Sequence, residues 1–320
     1  MSSSFIPNPF VVQSKDDVIP LFNSLLNRPI NHLKDYEHFL QDVSDLESAL
    51  SEDMAWRYIK MTCDTQNKDH EAAYLTFVQD IQPHLSPLED LLNRKIVDSP
   101  WADSFRHANP ANEIYLRGLK GAVEIFREEN ISIQSELATL AQEYASIQGN
   151  MSIEWEGQTI TLQQAGNVLM KTDREKREKV WHLMNQRRSE DTEKLNDLFD
   201  QMVKLRHQMA LNAGFENFRD YMFKAMGRYD YNVDACKDFH QSVETTVVPM
   251  LKSLMQDRKE KMKLSTLKPW DTAVDPLGRE PLKPFDGGEE LLEKGIDCLE
   301  RVDPYFGDCI KTMKSHHLLD

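Results

Sequence analysis

Leu205-Arg-His-Gln-Met-Ala-Leu-Asn-Ala-Gly-Phe-Glu-Asn-Phe-Arg-Asp-Tyr-Met-Phe223, with Met226-Gly-Arg-Tyr-Asp-Tyr231 just beyond it, decides how this chain is read. Its first part completes the cleanest helical pattern in the sequence. Leu195, Leu198, Phe199, Met202, Leu205 and Met209 recur three or four apart, with one adjacent pair, which predicts a long helix whose stripe faces a core. Asn212-Ala-Gly214 stops that helix. Rings follow: Phe215, Phe218, Tyr221, Phe223, Tyr229 and Tyr231, interleaved with Arg219 and Arg228. The pattern predicts a ring-filled corner between two long helices. Most such rings pack a core. A tyrosine that follows the local helix can also line a cleft, offering area together with a hydroxyl. Tyr229 and Tyr231, flanking Asp230, are the members in that position.

Outward from this corner, nearly everything reads as helix. Residues 15–27 and 31–60 place apolar side chains at helical spacing, with Met54, Tyr58 and Met61 on one stripe and Trp56 and Ile59 on its neighbour. Pro83 and Pro87 are expected to interrupt the next region, and Ser99-Pro100 to close it. A third long helix is predicted from about Asn112 to Gln148, carrying Leu116, Leu119, Val123 and Phe126 on one side and ending at Gly149-Asn150. Residues 151–162 break the pattern: Ile153 and Trp155 alternate, Glu156-Gly157 makes a turn, and β-branched residues follow. They predict one small hairpin lying against helices. Thr172 with Glu175 fits a capping box for the helix after it. Another helix begins near Asn232 and carries Phe239, Val243, Val247, Met250 and Leu254. Pro249 should kink it. Residues 264–288, with four prolines and three glycines, predict an irregular connector. Two shorter helices follow, the second started by Asp303-Pro304. The chain is thus mainly α, in three regions: 1–110, 111–210 with the hairpin, and 211–320.

Composition narrows the function. The 320 residues carry a formal charge of −15, so non-specific binding to a phosphate backbone is disfavoured and no nucleic-acid partner is expected. No run approaches a membrane span, and the first ten residues lack a signal-peptide pattern. Cys63, Cys236, Cys298 and Cys309 are too sparse for a disulfide framework. They read as free thiols of a cytoplasmic protein.

The ten histidines contain no HExxH. A zinc helix of that kind needs two histidines four apart, with a glutamate beside the first to activate water. His70-Glu71 has Tyr74 where the second histidine belongs, and reads instead as an exposed helix start. His32 and His38 lie six apart, on different faces. His316 and His317 with Asp320 form at most a weak metal group, and adjacent histidines point apart. Neither a phosphate-binding glycine loop nor a serine-hydrolase elbow is present. Cys236 and His240, four apart, fit a thiolate–imidazolium pair or, more plainly, a buried cysteine near a half-exposed histidine.

The opening stretch nevertheless resembles the peptidase family M3 metalloendopeptidases, particularly the oligoendopeptidase F group. Leu267-Lys-Pro-Trp-Asp271 is similar to that group's Leu-x-Pro-Trp-Asp landmark. Ile153-Glu-Trp-Glu-Gly157, Arg174-Glu-Lys-Arg177 and Val247-Val-Pro249 also fit, in order. The resemblance implies a helical fold of two lobes around a deep channel, in zinc enzymes that cleave short peptides. This chain would supply the N-terminal lobe and the start of the catalytic one. The family's zinc ligands and general base lie beyond Asp320, so no catalytic, metal or cofactor residue is carried over, and Leu318-Leu-Asp320 is similar to the start of the strand before the zinc helix. The chain is expected to be an inactive portion of a longer enzyme, with zinc belonging to the complete form. Arg228, Tyr229 and Tyr231 are the substrate-channel candidates. Short peptides and the missing C-terminal portion are the expected partners, and a membrane is not. The alternative is a non-catalytic helical module that binds peptides or partners. A thiol enzyme using Cys236 and His240 is a third reading.

Overall fold

The structure, a computed structural model, describes residues 5–7, 9–316 and 318–319. Its helices in chain order begin with α1 (Ile19–Leu26), α2 (Leu33–Cys63), α3 (Lys68–Thr76), α4 (Gln82–Val97) and α5 (Ala102–Ala108). Next come α6 (Pro110–Ile125) and α7 (Glu129–Gly149), then the strands β1 (Ser152–Trp155) and β2 (Gln158–Thr161). After them run α8 (Leu162–Gly166), α9 (Arg174–Glu190), α10 (Thr192–Asn212) and α11 (Phe218–Ala225). The last four are α12 (Val233–Ser242), α13 (Val248–Lys261), α14 (Gly288–Glu300) and α15 (Pro304–Ser315). The fold is mainly α with one two-stranded antiparallel hairpin. The chain forms two compact units, Met1–Gly149 with Glu193–Lys237, and Asn150–Thr192 with Asp238–Asp320.

The first unit is built on an apolar core. Phe22 and Leu25 of α1, Tyr36, Phe39, Val43 and Leu46 of α2, and Leu85, Leu92 and Ile96 of α4 are fully or almost fully buried. Each such side chain contributes about 1.5–3 kcal/mol on burial. The Tyr36 hydroxyl donates to the Ile96 carbonyl at 3.0 Å, so even this buried polar atom is satisfied. Lys95 Nζ donates to the carbonyls of Leu25, Leu26 and Arg28 at 2.9, 2.8 and 2.7 Å. A cation thereby caps the C-terminal end of α1, where unpaired carbonyls gather. The segment from 193 to 237 is tied in by buried Asn130, whose amide donates to the Met209 carbonyl at 3.0 Å. Around it Met209, Ala210, Ala213 and Tyr221 pack with Ile125, Ile133, Leu137, Phe215 and Phe218.

The helix predicted from 112 to 148 is two helices. Phe126 turns extended, and the Arg127 guanidinium donates to the carbonyls of Glu124 and Phe126 at 3.1 and 2.6 Å, closing α6 without a proline or glycine. Pro83 and Pro87 do not interrupt α4. Pro83 sits in its first turn, where no N–H is needed, and Pro87 lies inside it. The cost of an interior proline, about 3 kcal/mol, is offset by burial of Leu85 and Leu92 on the same helix. In α10, Leu198, Met202 and Met209 are buried, but Phe199 is exposed, as is Tyr58 in α2. One adjacent pair in a stripe cannot fully face one neighbour.

In the second unit, β1 and β2 pair with Ile153 opposite Ile160 and Trp155 opposite Gln158. Glu156 and Gly157 both have positive φ, 50° and 83°, the pairing a two-residue hairpin turn of this hand requires. Ile153 packs with Ala165, Val180 and Met184 of α8 and α9. The N-cap of α9 is Asp173, accepting from the Lys176 N–H at 3.1 Å, not Thr172. The Thr172 hydroxyl instead donates to Glu280 at 2.8 Å. Residues 243–247 form a widened π turn between α12 and α13, and the Val248 N–H donates to the Val243 carbonyl. Pro249 falls in the first turn of α13, so the bend is made by the wide turn ahead of the proline. Between α13 and α14 the chain is irregular apart from a short turn at Pro269–Asp271. Phe239, Met250, Leu254, Tyr305 and Phe306 of this unit are exposed. No helix among the described residues is long and apolar enough to cross a membrane.

Candidate functional site

The three residues singled out in the ring-rich segment lie in the connector that follows α11, within the first unit. Asn217 starts α11 by accepting from the Asp220 N–H at 3.0 Å. The helix ends at Ala225, and the Arg228 N–H donates back to the Phe223 carbonyl at 2.9 Å. The connector then lies on α6. The Arg117 guanidinium grips Asp230 with two bonds, at 2.9 and 3.3 Å, and stands 5.1 Å from the centre of the Tyr229 ring. Lys224 of α11 pairs with Glu124 of α6 and holds its carboxyl below the usual carboxylate range.

Gly121 explains the close approach. A Cβ at that position would stand 1.8 Å from the Tyr229 hydroxyl oxygen, so only glycine leaves room for the ring. Tyr229 is therefore seated against a helix and half-buried. Arg228 and Tyr231 take the other side of the connector. The Arg228 guanidinium lies 5.4 Å from the centre of the Phe223 ring, and Tyr231 meets Phe223 edge-on at 5.9 Å. Tyr231 is 48% exposed. Beside this clamp, Arg117 and Lys120 line an open groove of about 550 Å³ with Asp98, Asp103, Arg106 and Glu113.

Sequence reasoning missed the α6 half of this arrangement. Arg117 and Gly121 stand four apart on one helix face, which is the only local trace they leave. Arg117 and Asp230 are 113 residues apart, and no periodicity reports a contact at that range.

Two sequence landmarks of the second unit are brought together. Asp271 of Leu-Lys-Pro-Trp-Asp is 0% exposed and accepts from Arg174 at 2.9 Å on each oxygen and from Arg177 at 3.2 Å. Arg177, itself only 2% exposed, also donates to the carbonyls of Trp270, Lys171 and Thr172. Burial works against the Asp271 charge, but Arg174, the Lys268 N–H and Arg177 outweigh it and hold the carboxyl below its ordinary value. Trp181, His182 and Trp270 pack ring against ring above this clamp.

The remaining sequence candidates carry no comparable geometry. The His70 ring meets the Lys60 carbonyl at 3.1 Å, and Glu71 is held by Lys68 and Gln142, both at 2.7 Å. Cys236 is half-buried and His240 exposed on α12. His316 caps the C-terminal end of α15 just past Ser315, whereas His317 and Asp320 lie outside the described residues.

Comparison with known proteins places these landmarks. The family model for the Peptidase M3 N-terminal domain matches residues 9–125, and that for Peptidase family M3 matches residues 168–296. The chain belongs to peptidase family M3. Among solved structures, it is similar to a protein assigned as an oligoendopeptidase F, with a TM-score of 0.90 and 20% identity over 100% of this chain and 56% of that one. It is similar to PZ peptidase A solved with an inhibitor, with a TM-score of 0.89 and 23% identity over 97% of this chain and 55% of that one. A protein assigned as an oligoendopeptidase F from Bacillus anthracis strain Ames has a TM-score of 0.89 and 16% identity, over 100% and 59% of the two chains. The likeness is one of fold, and the M3 chain spans little more than half the length of these structures. No curated protein matches it. The family implies a zinc ion, and the residues present do not fit one. Among the described residues, no three histidine, cysteine or carboxylate side chains converge on a point. No step of chemistry is therefore assigned to zinc on these residues.

Proposed function

We propose that this chain is the N-terminal, peptide-binding portion of an M3 metalloendopeptidase that hydrolyses short peptides, and that by itself it holds peptides without cutting them. The observation that carries this is the clamp on α6. Arg117, Gly121 and Asp230 fix a connector that carries Arg228 and Tyr231, and Arg117 also lines an open groove along α6. Binding surfaces hold a ligand best when their own side chains are locked beforehand. Tyr229 contributes to this wall by seating the connector.

The second proposed partner is the C-terminal portion that the longer M3 structures contain and that would bring the zinc ligands. Support comes from the second unit, which leaves Phe239, Met250, Leu254, Tyr305 and Phe306 exposed, apolar side chains of the kind a partner surface covers. A cytoplasmic location goes with this reading, in keeping with four free cysteines. A non-catalytic peptide-binding module is the alternative, and it shares the same wall.

The test is incubation of the purified 320-residue chain with an internally quenched short peptide and zinc. No turnover above the no-protein blank is expected. Robust turnover abolished by a chelator would overturn the proposal.

A further inference from the structure

Resting on the peptide-binding reading above, we infer that Arg228 is an anchor for a carboxylate on the bound peptide. Three carboxylates of the connector and its supporting helices are already engaged. Asp230 is held by Arg117, Glu124 by Lys224 and Asp220 by Arg219. Arg228 makes no ion pair with any described residue, and its guanidinium is laid against the Phe223 ring. An arginine stacked this way keeps its planar fork of N–H donors free and loses little rotamer freedom when it binds.

The chemistry of the occupant follows from charge and surroundings. A fork of N–H donors matches a carboxylate with two parallel bonds. The chain as a whole carries −15, so its long-range field repels anions, and only a short-range, geometrically matched contact can hold one. A polyanion is excluded on the same ground, whereas a single carboxylate on a small peptide is not. Tyr231, edge-on to the same Phe223 ring and half-exposed, offers an apolar flank for the residue bearing that carboxylate. The carboxylate has two possible sources, the free C-terminus of the peptide and an aspartate or glutamate side chain.

The experiment uses fluorescence anisotropy with a labelled six-residue alanine–glycine peptide in three forms: free C-terminal acid, C-terminal amide, and amide with one internal glutamate. It is run on the wild-type chain, on Arg228→Gln and Arg228→Lys, and on Arg301→Gln as a charge control in the second unit, after thermal unfolding confirms that each variant is folded. The acid is expected to bind about fivefold more tightly than the amide, the size of an exposed charge-assisted contact. Arg228→Gln should erase that preference, Arg228→Lys should keep part of it, and Arg301→Gln should leave it intact. Recovery of affinity by the internal glutamate assigns the side chain as the source, and its failure to recover assigns the C-terminus. Equal binding of all three forms, or a preference that survives Arg228→Gln, overturns the anchor while the peptide-binding reading stands. Absence of binding by every form overturns both.

Discussion

The two units of this chain are held together in different ways. The first buries rings and branched side chains from α1, α2 and α4 in one apolar core, with Tyr36 and Lys95 satisfying the polar atoms they carry inward. The second has a small apolar cluster under its hairpin and, beside it, a buried ionic clamp of Asp271, Arg174 and Arg177. An apolar core loses stability in increments as methylenes are removed. A buried ion pair fails abruptly, because losing one partner leaves the other charge unpaired.

The largest effect is therefore expected in the second unit. Asp271→Ala strands the buried Arg177 charge and should cost about 3–5 kcal/mol, read as early loss of the Trp181 and Trp270 fluorescence signal in urea. The pH dependence has a definite sign. The Asp271 carboxyl is held below its ordinary value, so the stability it contributes is present above about pH 4, the ordinary carboxylate range, and is lost as pH falls through the lowered folded value. Wild type and Asp271→Ala should converge in strong acid. An unchanged urea midpoint for the variant would remove the clamp from the account.

In the first unit, Leu85→Ala should cost about 3 kcal/mol by opening a cavity beside α1 and α4. Its effect should be the same at pH 4 and pH 7, in contrast to Asp271→Ala. A smaller change of opposite sign is expected at Glu89, whose carboxyl is raised by burial, lowered in part by Gln82, and raised further by Glu47. The fold favours the protonated carboxyl, so that contribution is fully present below the ordinary value and is lost as pH rises through the raised one. Glu89→Gln should thus stabilise the neutral-pH protein by less than about 1 kcal/mol, and the gain should vanish in acid. Met250→Gln should be the smallest, within about 0.5 kcal/mol, because Met250 is 61% exposed in this chain. A large loss there would mean that the α13 face is packed in solution.

These contrasts also mark what a sequence can disclose. Helical stripes such as Leu198, Met202 and Met209 were legible because burial on one face imposes a repeat on the chain itself. The hairpin was legible because Glu156-Gly157 suits a turn that needs positive φ twice. The end of α6 at Phe126 was not, since its carbonyls are capped by the Arg127 side chain and no glycine or proline announces it. Pro87 misled because packing overrides propensity. In the candidate site, Arg228, Tyr229 and Tyr231 share one connector by sequence alone. What seats that connector, Gly121 and Arg117, is a contact across more than a hundred residues and leaves no local pattern. The Asp271 clamp lay in two landmarks that could be read separately, but not as partners.

The most direct measurement is binding of a labelled short peptide to the purified chain after all metal has been stripped, with the peptide recovered afterwards by mass spectrometry. Saturable binding, indifferent to chelator and to added zinc and returning the peptide intact, is the predicted result. Binding that appears only with zinc, or recovery of cleaved peptide, would contradict the account.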